Sequence, residues 1–249
     1  VTFSYDVTVT DDSSTSNDFD TETVTITING TNDDPVLSVE ATGSVTEDAS
    51  TTVLTDSGTL SFTDVDTTDT HTVSVSDNVD ASWTGGTLSA AQITALTGGF
   101  SADSDSWDYT VANADTQFLG VGETVTFSYD VTVTDDSSTS NDSDTETVTI
   151  TINGTNDGPT VVGPGIADAG TNEDALYSYD ASVNFDDVDV GDVLTYTATL
   201  AGGGALPSWL GISSTGTLSG TPTNDDVGSL SITVTALDGS AEVASDTYV

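Results

Sequence analysis

"VTFSYDVTVT", residues 1–10, sets Val1, Phe3, Tyr5, Val7 and Val9 on one side of the chain and Thr, Ser and Asp on the other. Strict alternation of this kind predicts a half-buried antiparallel strand. "DDSSTSNDFD" (11–20) is too polar to be anything but a loop, and "TETVTITIN" (21–29) alternates again with Val24, Ile26 and Ile28 inward. Together these segments read as a long hairpin. Asn32-Asp33-Asp34-Pro35 stops it, because proline has no N–H to give a ladder.

The hairpin returns later. Residues 1–35 and 125–159 align without gaps at an offset of 124, differing only at Phe19/Ser143 and Asp34/Gly158. Near-identity over a whole unit marks duplication of structure, not selection on a catalytic site. Strands are expected at 36–46, 51–55, 58–64, 70–76, 107–112, 125–134 and 145–153. Many short strands separated by turn signals predict an all-β sandwich. One stretch departs: "SAAQITAL" (89–96) has helical spacing, with Ser89 as its N-cap. After Asn156 the residues change but the rhythm persists, as in "SITVTALDG" (231–239), an alternating strand that ends in an acidic turn. The expected organisation is the closing hairpin of a partial repeat at 1–31, a complete repeat at 32–155, and a third unit of another type at 156–249, its last strand cut short.

The missing cations bear most on function. The 249 residues include 42 Asp and Glu and one His, His71, but no Lys, Arg or Cys. Each carboxylate must therefore find solvent, a backbone N–H, a proton or a metal ion. Isolated exposed carboxylates are screened beyond a Debye length of about 8 Å. Clustered ones repel and would loosen the fold, so clusters imply divalent cations. The same charge argues against nucleic acid and anionic membranes as partners. No apolar run approaches the roughly 20 residues of a membrane-spanning helix, and no signal peptide is visible. Stability must come without disulfides.

"WDYTVANADTQFLGVGETVTFSYDVTVTDD" (107–136) followed by "TVTITINGTNDGPTV" (147–161) resembles the VCBS-type repeat of large bacterial surface and RTX-type adhesins. The segment 185–239 resembles the dystroglycan-type cadherin-like module, in particular Leu206-Pro207-Ser208-Trp209-Leu210 and Gly216-Thr217-Leu218-Ser219-Gly220-Thr221-Pro222. These resemblances imply tandem immunoglobulin/cadherin-like Greek-key sandwiches and Ca²⁺ at their junctions. They also imply an adhesion role at a bacterial cell surface, after export by type I secretion.

A Greek-key sandwich of strands A to G shows where the acids should meet. Its B–C and F–G loops lie at the pole where the chain enters, beside the incoming linker. In the complete repeat these supply Asp64, Asp66 and Asp69 (62–69), Asp135 and Asp136 (134–138), and Asn32, Asp33 and Asp34 from the linker. In the third unit the same places hold Asp187, Asp189 and Asp192, then Asp238, then Asn156 and Asp157. Glu47 of "VTED" would be added from the far pole of the full repeat, and Glu173 of "NED" would serve the next junction along. Six to eight oxygens drawn from several loops are what Ca²⁺ requires. A lone Asp-x-Asp, by contrast, is commonly a solvated turn, the expectation for Asp12, Asp18 and Asp20.

Other motifs are weak. "DVDVGD" is no EF-hand, because the twelfth position from Asp187 is Ala198 where a bidentate Glu is needed. His71 has no second His or Cys partner and reads as a strand residue. Trp83, Trp107 and Trp209 could make a sugar platform, although core packing is the usual fate of such residues. The expected function is a non-enzymatic, monomeric spacer of a secreted adhesin whose partners are its neighbouring domains. The alternative is a third unit that binds a ligand, a sugar or a peptide, with a surface sugar or protein as a candidate partner. A hydrolase would need a cleft and paired carboxylates with separated pKa values, and no such pattern stands out.

Overall fold

The computed structural model describes residues 1–249 except 15, 17, 48, 49 and 138–141. In chain order the first ten strands are β1 (Thr2–Thr10), β2 (Phe19–Thr27), β3 (Val36–Val39), β4 (Thr42–Thr46), β5 (Val53–Thr63), β6 (His71–Asp77), β7 (Ser82–Trp83), β8 (Phe100–Ala102), β9 (Ser106–Ala112) and β10 (Thr124–Asp135). They continue as β11 (Ser143–Asn153), β12 (Thr160–Val161), β13 (Tyr177–Asp180), β14 (Phe185–Asp186), β15 (Thr195–Leu200), β16 (Leu210–Ile212), β17 (Thr217–Gly220), β18 (Ile232–Leu237) and β19 (Val243–Tyr248). Among the described residues one α-helix, α1 (Ala90–Thr97), and three short 3-10 turns interrupt them. The strand expected at 36–46 is two short strands, and those expected at 51–55 and 58–64 are the single β5.

Two hydrophobic cores hold the chain. The first lies between the sheet β3-β5-β9-β8 and the sheet β4-β11-β10-β6, to whose β10 the short β7 also pairs. Strand β11 pairs antiparallel with β10 but parallel with β4, the mark of a crossover between first and last strands. Trp107, Tyr109, Phe127, Ile150 and Ile152 are buried in this core. The second core lies between β13-β17-β16 and β15-β18-β19 and centres on Leu218, Val234 and Ala236.

Helix α1 forms where the sequence places it. Ser89 and Gln92 make a reciprocal capping box at its start. At its other end no cation is available for the orphan carbonyls. The hydroxyl of Tyr109 donates to Leu96 O (2.7 Å) and that of Tyr129 to Thr97 O (2.5 Å). Leu96 is fully buried, so the helix is pinned to the first sandwich by packing as well as by these bonds.

Strands β1 and β2 form a separate two-stranded sheet. Its register, Phe3 opposite Ile26 and Tyr5 opposite Val24, repeats that of its twin, Phe127 opposite Ile150 and Tyr129 opposite Val148. The surroundings differ completely: Tyr5 and Ile26 are 58% and 49% exposed, whereas Tyr129 and Ile150 are 3% and 0%.

Candidate metal centres

Three segments meet at the entry to the first sandwich. Asn32 donates from Nδ2 to Asp135 Oδ2 (3.0 Å), and the Asp33 N–H donates to Asp66 Oδ2 (2.9 Å). The loop after β5 is folded on itself, with the Asp66 N–H on Asp64 Oδ1 (2.8 Å) and the Asp69 N–H on the Asp66 carbonyl (3.0 Å). Asp136, beside Asp69, accepts from the Thr70 N–H (3.1 Å). One carboxylate oxygen each from Asp64, Asp69 and Asp135 lies within 4.8 Å of the others.

The entry to the second sandwich repeats this pattern with other residues. Asn156 Nδ2 donates to Asp238 Oδ2 (3.0 Å) and the Asp157 N–H to Asp189 Oδ2 (2.9 Å). The Asp189 N–H donates to Asp187 Oδ1 (3.1 Å) and the Asp192 N–H to the Asp189 carbonyl (3.2 Å). Oxygens of Asp187, Asp189 and Asp192 again lie within 4.8 Å of one another. Here the preceding sandwich takes part. Glu47, 2% exposed, accepts from Gln117 Nε2 (2.5 Å) and the Thr155 N–H (3.3 Å). The Val190 N–H donates to the Phe118 carbonyl (3.2 Å), a direct bond between the two sandwiches. Gly154 is needed in the linker because a Cβ there would collide with the Leu119 and Gly120 carbonyls.

The electrostatics of the second centre are unresolved by protein groups. Asp157 Oδ2, Asp187 Oδ2 and Asp189 Oδ1 are buried and accept no hydrogen bond from any described residue. Burial, aided by the Asp157 and Asp189 charges, pushes Glu47 up to about 7 against the pull of the Thr155 N–H. Burial likewise pushes Asp189 up to about 6, with Asp157, Asp187 and Asp192 adding to the rise. Asp187 is raised by burial and then by the Asp192, Asp238 and Asp157 charges. Burial would raise Asp238 too, but hydrogen bonds from Asn156, Glu242 and Ser240 outweigh it and hold that carboxyl below its usual range. In the first centre Asp135 is held low by Ser137 and Asn32. Asp69 is raised by burial and by four carboxylates around it. Buried anions without partners are strongly unfavourable. Clusters of carboxylate oxygens like these suit a hard cation such as Ca²⁺ better than zinc.

Asn32, Asp33, Asp64, Asp66 and Asp135 thus come together, as do Glu47, Asn156, Asp157, Asp187, Asp189, Asp192 and Asp238. Glu173 stands apart from both groups and lines a groove of the second sandwich. His71 is the strand residue that the sequence suggests, but its acidic partner was not foreseen. It opens β6, and its Nε2 lies 2.8 Å from Asp64 Oδ2, so the chain's one histidine partners an acid of the first centre. The loop between β5 and β6, folded by its own turns, brings Asp64 back to the strand start seven residues on. Trp107 is fully buried, Trp83 is half-buried with Nε1 on Glu123 Oε2 (3.0 Å), and Trp209 packs half-buried against the second core.

Residues 159–249 match the family model described as "Putative Ig domain". No curated protein matches the chain. Among solved structures, protocadherin gamma B2 extracellular cadherin domains 1–5 are similar with a TM-score of 0.50 at 14% identity, over 99% of this chain and 45% of that one. Mouse protocadherin-24 EC1-3 matches at 15% identity with a TM-score of 0.40, over 99% of this chain and 78% of that one. The chain therefore spans less than half the length of the gamma B2 structure. At these identities the likeness concerns the fold: all-β, immunoglobulin- and cadherin-like sandwiches.

Proposed function

We propose that this chain is an extender segment of a secreted, calcium-dependent adhesin of the VCBS and RTX type. Its role is structural and not catalytic, and its immediate partners are the neighbouring domains of the same chain. In this reading residues 1–31 close a preceding repeat, 32–155 form a complete one, and 156–249 form the cadherin-like unit. The bacterial cell surface, reached by type I secretion, is the setting that the resemblance implies.

The observation that carries the proposal is the convergence of three partnerless buried carboxylate oxygens, on Asp157, Asp187 and Asp189, where two sandwiches join. Asn156, Asp157, Asp187, Asp189, Asp192, Asp238 and Glu47 would hold the ion there. The corresponding set at the first junction is Asn32, Asp33, Asp64, Asp66 and Asp135, with Asp69 and Asp136 beside them. Calcium supplies the positive charge that a chain without Lys or Arg lacks. Glu47 belongs to one sandwich and Asp187 and Asp189 to the next, so neutralising them together stiffens the joint. Ligation of the native state alone also raises stability by mass action.

Small-angle X-ray scattering with a parallel thermal melt tests this, in millimolar Ca²⁺ and in excess chelator. The expected result is a longer, rod-like particle and a higher Tm with calcium. Unchanged shape and Tm would reduce both centres to solvated turns and end the proposal.

A further inference from the structure

The Glu47 carboxylate is held at both oxygens. Gln117 Nε2 donates to Oε1 (2.5 Å) and the Thr155 N–H to Oε2 (3.3 Å), while the Glu47 N–H donates to the Asn153 carbonyl (2.9 Å). So held, the side chain faces Asp157 and Asp189 of the second centre. Gln117 itself stands on a well-tied base. A 3-10 turn, Asn113–Asp115, follows β9, and the Asn113 N–H donates to the Thr52 carbonyl (3.1 Å). The Asn113 carbonyl accepts from both the N–H (3.0 Å) and Oγ1 (2.8 Å) of Thr116, and the Leu119 N–H donates to the Thr116 carbonyl (3.0 Å). Thr116 and Leu119 are fully buried, so Gln117 projects from between two anchors.

The same turn reaches the next sandwich. The Phe118 carbonyl accepts from Val190, in the loop that carries Asp187, Asp189 and Asp192. The Phe118 ring packs edge-on against Trp83, with centroids 5.0 Å apart. Trp83 Nε1 (3.0 Å) and the Gly120 N–H (3.3 Å) both donate to Glu123 Oε2. Residues 116–120 thus connect Glu47 to the acidic loop of the second sandwich.

Without Lys or Arg, side-chain N–H donors come only from Asn, Gln, Trp and His. An amide orients a carboxylate and leaves its charge in place, whereas a Lys or Arg there would compete with a cation. We infer that Gln117 is a positioning residue of the second centre, which keeps Glu47 turned toward Asp157 and Asp189 so that its oxygens are in place when the cation binds. The inference rests on the calcium reading above and adds a residue that would not itself touch the ion. Partners that orient a metal ligand in this way commonly change affinity by about 10–100-fold.

The experiment follows the Asp157 and Asp33 amide NMR signals of the full chain in chelator-buffered Ca²⁺ at pH 8. The Asp157 amide donates to Asp189 in the second centre and the Asp33 amide to Asp66 in the first, so the two centres are read separately. Gln117→Met keeps the length of the side chain and removes the donor. It should weaken Ca²⁺ binding at the second centre by about 10–100-fold. Binding at the first centre should stay within about twofold, which also reports that the first sandwich is folded. Gln117→Asn, an amide one methylene short of Glu47, should show the same pattern. In a Glu47→Gln background either substitution should change binding at the second centre by less than about twofold, because a residue acting through Glu47 has no carboxylate left to orient. Unchanged affinity in both Gln117 variants, or an equal loss in both backgrounds, would overturn the positioning role and leave the calcium reading standing. A wild-type chain in which neither amide titrates would overturn the calcium reading, and this role with it.

Discussion

Replacing Glu47 by Gln should change the sign of its effect with calcium. Glu47 is 2% exposed, and burial with the facing Asp157 and Asp189 charges pushes its carboxyl up to about 7 from 4.5. The native state therefore keeps a proton that the unfolded chain has released. That contribution is complete below about pH 4.5 and is lost as pH rises through about 7. Without metal, ionising the group costs about 3 kcal/mol, at 1.36 kcal/mol per pKa unit. The amide cannot ionise but gives up one acceptor to Gln117 or Thr155, a loss of about 1 kcal/mol. In chelator at pH 8 Glu47→Gln should thus be more stable by about 2 kcal/mol, or about 4–8 °C in Tm for a chain of this size. At pH 5 the gap should nearly close. In millimolar Ca²⁺ at pH 8 it should invert, because the variant has lost an anionic ligand oxygen. Differential scanning calorimetry of both proteins, at both pH values, with calcium and with chelator, reads all of these. A variant less stable than wild type in chelator at pH 8 would refute the reasoning, and so would a difference that ignores pH.

Three further outcomes follow from the same structure. Ile150→Ala should cost about 2–5 kcal/mol in chemical denaturation, whereas Ile26→Ala in the exposed twin should stay within about 0.5 kcal/mol; equal costs would mean that the first hairpin is covered. Asp189→Asn should abolish most of the calcium-induced rise in Tm, and Asp12→Asn, in a solvated turn, should leave that rise intact when both are melted at fixed free Ca²⁺. Gly58 lies in β5 where a Cβ would strike the Trp107 indole. Gly58→Ala should therefore destabilise by about 1–3 kcal/mol, with a change in Trp fluorescence reporting the displaced ring.

The sequence by itself determined a good deal. Period-two alternation in "VTFSYDVTVT" and its copy fixed both hairpins and their register, because side chains alternate strictly across a strand and a slip of one residue would invert every face. Ser89 and Gln92 marked the start of α1, since a capping box is a local bond pattern. The Asn-Asp linkers and Asp-x-Asp loops could be brought together on paper because a Greek key has few ways to arrange its poles.

Burial was decided only by the tertiary structure. Ile26 and Ile150 have the same neighbours in sequence and the same cross-strand register, yet one is 49% exposed and the other 0%. The difference comes from β4 and the facing sheet, which cover one hairpin and not the other. The acids follow the same rule. Glu47 is one carboxylate among 42 in the sequence, and only its burial, with Asp157 and Asp189 brought close, raises its pKa against the pull of the Thr155 N–H. Hydrogen-bond geometry along a strand is set by adjacent residues, whereas desolvation depends on whatever distant chain comes to lie on top.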